Sequence, residues 1–169
     1  MAARTFNRPL RAAAIAAAAL ALGACATAPS ANHSPRAASA AIRGSVDGET
    51  IADIAMGLLG VPYRYGGSDP REGFDCSGLV HYTYTQAGFP APRTSVEQYG
   101  AARKISLREA AAGDLMFFQD EAKLSHVGIY VGDGLFVHAP ASGRVVSVAS
   151  IDSPYYLSHL VGVGRLLPD

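Results

Sequence analysis

Apolar residues recur at Ile51, Ile54, Ala55 and Leu58, the i, i+3, i+4, i+7 spacing of one helix face. Asp47-Gly48-Glu49-Thr50 supplies polar start residues, and Gly60 and Pro62 stop the pattern, so a helix is predicted over 47–59. The next segment, 61–70, has breakers at both ends and reads as a loop carrying Tyr63 and Tyr65 beside Gly66-Gly67. Leu79, Val80, Tyr82, Thr83 and Ala87 then mark a mostly buried helix that starts near Cys76 and closes at Gly88. After the turn Phe89-Pro90-Ala91-Pro92, the run Arg93-Thr94-Ser95 with Val96, Gln98 and Tyr99 predicts a short capped helix.

In the second half the period changes from helical to alternating. Asp114–Phe118, His126–Val131, Leu135–His138, Val145–Val148 and Gly162–Leu166 are short β-branched or aromatic runs separated by turn residues. Gly132-Asp133-Gly134 is a hairpin signal between the second and third of them. Pro154-Tyr155-Tyr156-Leu157 predicts a brief helical turn before the last strand. Helices first and antiparallel strands afterwards predict one α+β domain over 46–169.

The N-terminal pattern is different again. Arg4, Arg8 and Arg11 with no acidic residue precede an Ala-rich apolar run from Ala12 to Leu22. A basic flank and a short apolar stretch predict an export signal over 1–24, too short for a permanent span of roughly 20 residues. Leu22-Gly23-Ala24-Cys25 resembles a bacterial lipobox, which makes Cys25 the expected lipidated residue and new N-terminus. The alternative is an ordinary cleaved signal peptide. Several acyl chains on Cys25 would hold the protein to a membrane. With no Asp beside Cys25, the outer membrane facing the periplasm is expected if the source is Gram-negative. Residues 25–45 are small and polar with two prolines and no apolar period, a tether of roughly 25 Å as a coil. His33 falls in it and reads as solvated.

Charge and cysteine count narrow the function. The whole chain has 14 basic and 14 acidic side chains, and the signal removes three Arg, leaving 11 against 14. A mildly acidic domain has no electrostatic footprint for nucleic acid. Two cysteines are present and the lipobox claims one, so a disulfide framework is not expected.

Cys76 is the candidate nucleophile. Asp75-Cys76-Ser77-Gly78 stands where an irregular Gly-rich segment becomes a helix, and free N–H groups at a helix start stabilise a thiolate. A buried structural cysteine, or half of a disulfide, is the alternative. His126 opens one strand and His138 closes the next across a short hairpin, so the two are neighbours at one end of the sheet. A thiol, a base and a group that orients the base make a thiol hydrolase. The same three residues admit a zinc site, although no short chelating spacing is present, and two unrelated sheet histidines are a further reading. His81, about 140° round the helix from Cys76, reads as a packing residue. His159 has no evident partner.

Six blocks in order carry a family resemblance: Tyr63-Arg64-Tyr65-Gly66-Gly67, Asp75–Val80, Pro92-Arg93-Thr94-Ser95, Gly113–Phe118, Ser125–Tyr130 and Phe136-Val137-His138-Ala139. Together they resemble the NlpC/P60 cysteine peptidases over nearly all of 47–167. The resemblance implies a papain-like, circularly permuted fold, no cofactor and no metal, and hydrolysis of peptidoglycan stem peptides, commonly between γ-linked D-glutamate and meso-diaminopimelate. It makes Cys76 the nucleophile, His126 the base and His138 its orienter, with Tyr63 helping at the oxyanion and Asp75, Ser77 and Arg93 shaping the substrate pocket. The attack is expected from a Cys76 thiolate paired with protonated His126. The loop 68–72 is about one residue longer than in close relatives. A thiol amidase or acyltransferase on the same fold, or a non-catalytic wall-binding lipoprotein, are the rival functions. Substrate targeting is left to the membrane anchor, the tether or a partner protein, and the sequence does not identify a protein regulator.

Overall fold

The computed structural model of the chain describes residues 48–120 and 123–168. The predicted signal 1–24, Cys25 and the tether to residue 45 lie outside them. Helix α1 (Gly48–Met56) buries Ile51, Ala52 and Ala55 and ends in turns before Gly60. The loop after it forms a small hairpin, β1 (Ser68–Asp69) with β2 (Gly73–Phe74), where only irregular structure was expected. Arg71 at its tip bonds back to Asp69, which supplies the turn chemistry.

Helix α2 (Cys76–Gln86) begins at N-cap Asp75, and Gly88 just past its end has φ 83°, a conformation suited to glycine. Helix α3 (Ser95–Ala101) carries a full capping box, Thr94 with Glu97. Both helix starts agree with the sequence because capping is local chemistry.

Six antiparallel strands follow in one sheet: β3 (Arg103–Ile105), β4 (Leu115–Asp120), β5 (Lys123–Gly132), β6 (Leu135–His138), β7 (Ser147–Ser150) and β8 (Leu160–Arg165). Their spatial order is β3-β8-β4-β5-β6-β7. Between β7 and β8 lies the short helix α4 (Pro154–His159). Alternation sorts the side chains into two layers. Leu115, Phe117, Val127, Ile129 and Val137 pack with residues of α1 and α2. Met116, Phe118, Phe136 and Val163 form a second cluster with Ile151 and the partly buried Tyr156. No helix among the described residues is long and apolar enough to cross a membrane.

Two strand expectations shift. β7 was expected at Val145–Val148, but Val146 bonds through N–H and C=O to Val61 and Gly60, so pairing with β6 starts only at Ser147. β3, an exposed edge strand read off no apolar pattern, exists because β8 offers it a free edge.

Candidate active site

The start of α2 is built as a polar clamp. Asp75 Oδ1 accepts from the Gly78 N–H at 2.6 Å and from Ser77 Oγ at 3.2 Å. The Arg93 guanidinium forks onto both carboxylate oxygens, at 3.0 and 2.8 Å, and the Gly66 N–H reaches Oδ2 at 3.0 Å. Burial works against ionisation of Asp75, but the Arg93 bonds, the Gly78 and Gly66 N–H groups and the Arg93 charge outweigh it and hold the carboxyl below its ordinary range. Arg93 also donates to Ser77 Oγ and to the Gly67 carbonyl. The backbone fits closely here: a Cβ on Gly78 would stand 2.0 Å from Gly67 O, and one on Gly67 would stand 2.2 Å from Gly73 O. Gly78 thus packs on Gly67 and Gly67 on Gly73, whereas Gly66 meets no such neighbour and is needed for its φ of 74°. Gln98, fully buried, completes the clamp by donating to Ser77 O and Pro92 O. Asp75, Ser77 and Arg93, expected around the substrate, are therefore bonded to one another and to the Gly66, Gly67 and Gly78 backbone that flanks Cys76.

Cys76 bears a free thiol in the first turn. Burial pushes that thiol up, and the Asp75 charge adds to the rise. The N–H groups of Val127, Ser77 and Cys76 itself pull the other way without reversing it. The helix-start effect expected from the sequence is present and is outweighed by desolvation. Tyr63, half-buried, packs against the same cluster as Cys76; burial raises its phenol, and the proximity of Cys76 and Asp75 raises it further. Its neighbour Tyr65 is 88 % exposed.

Opposite the clamp stand the histidines. The β5–β6 register pairs Ile129 with Val137 and Tyr130 with Phe136, which sets His126 and His138 diagonally on one face with Gly128 between them. His126 Nε2 and His138 Nδ1 are 2.8 Å apart. On its other side, His138 Nε2 meets Tyr156 Oη at 3.5 Å. Phe118, Phe136 and Tyr156 ring the pair at centroid distances of 5.1–6.0 Å. In this apolar box burial lowers His126 to about 4. Burial, then the His126 and Arg144 charges, lowers His138 to about 3. A cleft of about 380 Å³ opens from the two histidines toward Tyr155, Tyr156 and Arg144.

The peptide joining His126 to Val127 links the two sides, because the Val127 N–H lies close enough to the thiol to favour its charged form. Among the described residues no hydrogen bond joins Cys76 Sγ to His126. With Nε2 held by His138, Nδ1 is the His126 nitrogen left to accept a proton. Nor do His, Cys, Asp and Glu side chains among the described residues form a group of three arranged to hold a metal.

Two other histidines are packing residues. His81 Nδ1 meets Ala91 O at 2.6 Å, in line with its sequence reading. His159 does have partners: it stacks on Tyr155, donates to Tyr155 O and lies 3.8 Å from Asp120. Its i, i+4 relation to Tyr155 within α4 was the available signal. Tyr156, Gln98 and Arg144 were not singled out, since each joins the site only through tertiary contacts.

The model of the NlpC/P60 family matches residues 60–165. The bifunctional muramidase/DL-endopeptidase CwlT of Bacillus subtilis is 45% identical over 129 residues, covering 74% of this chain and 39% of its own length. The murein DD-endopeptidase MepH of Escherichia coli is 42% identical over 117 residues, 66% of this chain and 43% of its own. The chain thus spans less than half the length of these curated relatives. The crystal structure of the NlpC/p60 domain of the peptidoglycan hydrolase SagA superposes with TM-score 0.62 at 37% identity, covering 70% of this chain and 98% of that domain.

Proposed function

The chain belongs to the NlpC/P60 family, and from that premise we propose that it is a cell-wall hydrolase that uses Cys76 to cut an amide bond in peptidoglycan stem peptides. The bond we propose is the one between γ-linked D-glutamate and meso-diaminopimelate. The observation that carries this reading is the junction of the two half-sites. The thiol at the capped start of α2 lies close enough to the Val127 backbone for that N–H to favour its charged form, and the preceding residue, His126, is hydrogen-bonded to His138.

The charge balance supports a neutral resting pair in place of the ion pair expected from the sequence. Burial disfavours both the thiolate and the imidazolium, so at neutral pH the thiol keeps its proton and His126 is free to take it. As Sγ attacks the carbonyl carbon, its proton passes to His126 Nδ1. His126 Nε2–H donates to His138 Nδ1, and His138 then carries its own proton on Nε2, toward Tyr156 Oη. This tautomer order leaves His126 Nδ1 as an acceptor. The oxyanion is met by the Cys76 N–H and the Tyr63 hydroxyl, each donor being worth roughly 3–4 kcal/mol in comparable sites. The imidazolium next protonates the leaving amine. Water, deprotonated by His126, finally cleaves the thioester and restores the thiol.

Asp75, Ser77 and Arg93 act in this reading chiefly by fixing the N–H groups around the thiol. We further propose that the 1–24 signal and Cys25 lipid anchor hold the domain beside the wall, on the outer membrane if the source is Gram-negative. Mass spectrometry of purified sacculi digested with the full chain tests the bond. New C-terminal γ-D-glutamate and free diaminopimelate amines are the expected ends. New ends between muramic acid and L-Ala, or at the D-Ala cross-link, would replace the bond assignment, and digestion by a Cys76→Ala control would overturn the mechanism.

A further inference from the structure

The cleft that opens from the histidines is a different space from the clamp around the thiol. Its walls include His126, His138, Tyr155, Tyr156 and Arg144, and none of Tyr63, Asp75, Cys76 or Arg93 lines it. Chemistry gives the cleft a direction. The group that takes the thiol proton must hand it to the leaving amine, so the amine half of the substrate lies on the histidine side of the cut bond. A cleft that begins at His126 is where that half must go.

Charge inside the cleft is uneven. Arg144, in the turn between β6 and β7, is the one lysine or arginine in its wall, and among the described residues its guanidinium has no ion pair or hydrogen bond. Asp120 closes the opposite side from the end of β4, where His159 stands 3.8 Å away. The strand order β4-β5-β6 separates the two sides by two strand spacings, roughly 10 Å. The guanidinium fork matches a carboxylate, and the aromatic wall of Tyr155 and Tyr156 accepts an aliphatic chain leading to it.

We propose that this cleft binds the leaving-amine half of the substrate and that Arg144 recognises a free carboxylate on that half. This rests on the hydrolase reading above and adds the chemistry of one substrate half to it. It also couples binding to catalysis. The Arg144 charge opposes protonation of His138, and a bound carboxylate would neutralise that field just as the histidine pair must take a proton.

The test uses the full chain and two peptides of the form L-Ala-γ-D-Glu-diaminopimelate, one with the distal carboxylate free and one with it amidated. Wild type is expected to favour the free acid by about tenfold in kcat/KM, the worth of one exposed charge-assisted contact. Arg144→Gln should bring the ratio near one, chiefly through KM, Arg144→Lys should keep part of it, and Asp120→Asn should keep it. An unchanged ratio in Arg144→Gln, or no preference in wild type, overturns the subsite. Calorimetric titration of free diaminopimelate into the full-length Cys76→Ala chain, with and without Arg144→Gln, reads the subsite without turnover. Wild type that cleaves neither peptide overturns the hydrolase reading, while the titration still decides the subsite: binding lost with Arg144 supports it, and binding absent or unaffected refutes it.

Discussion

Around Cys76 the side chains are charged and committed to one another: Asp75 takes Arg93, Ser77 and two backbone N–H groups, and three glycines let the backbone close over the pair. Around His126 and His138 the wall is aromatic, and the polar contacts are one imidazole pair and a tyrosine hydroxyl. The first half holds charge in order to fix geometry. The second surrounds the imidazoles with aromatic rings, and burial there, joined at His138 by the Arg144 charge, disfavours their protonation. The clamp's own carboxylate adds to burial in disfavouring a Cys76 thiolate, and burial disfavours a His126 imidazolium, so the surroundings of both groups favour their neutral forms.

Removing the atom the two halves converge on should have the largest effect. Cys76→Ala is expected to abolish muropeptide cleavage in a chromatographic assay and leave the melting temperature within a few degrees of wild type. Breaking the clamp comes next. Gly78→Ala sets a methyl against the Gly67 carbonyl where neither backbone can yield cheaply, so thermal unfolding should show lost stability together with at least roughly 100-fold lower kcat/KM. If the variant melts and cleaves like wild type, the close fit of the two glycine pairs does not govern the thiol.

Smaller effects should come from the aromatic half. His138→Ala is expected to lower kcat by roughly 100-fold with little change in KM, since the base stays and only its tautomer and orientation are lost. Tyr156→Phe keeps the packing and removes the hydroxyl at His138 Nε2. A few-fold drop in kcat with a moved acid limb of the pH–rate profile is expected, whereas a purely structural tyrosine would leave that limb in place.

The mildest probe is pH itself. His126 and His138 titrate lower in the fold than the ordinary 6.5, at about 4 and about 3, so the unfolded chain binds protons first. Their neutral forms support the fold above pH 6.5, and that support is lost as pH falls toward 4 and 3. Denaturant unfolding between pH 7 and 4 should therefore show a steeper decline for wild type than for His138→Gln. Parallel curves would mean that the box does not exclude charge.

The clamp was half legible in the chain. Asp75 ahead of Ser77-Gly78 is a capping sequence, and Thr94 with Glu97 is another, because caps act over three residues. The hairpin that brings His126 to His138 was legible for the same reason. Arg93 is 18 residues from Asp75 and was singled out only through the family resemblance, which implied a pocket role and not the fork it makes with the cap.

What the sequence determined by itself is what short-range chemistry dictates: where α2 starts, which residue sits in its first turn, and which two histidines share one end of a hairpin. Tertiary structure decided the electrostatics. Whether a helix start yields a thiolate depends on how much water and counter-charge the fold leaves around it, and here burial outweighs the N–H groups. It also decided that the imidazole pair ends at Tyr156 and opens beside Arg144, because those residues come from separate elements that meet only once the sheet has folded.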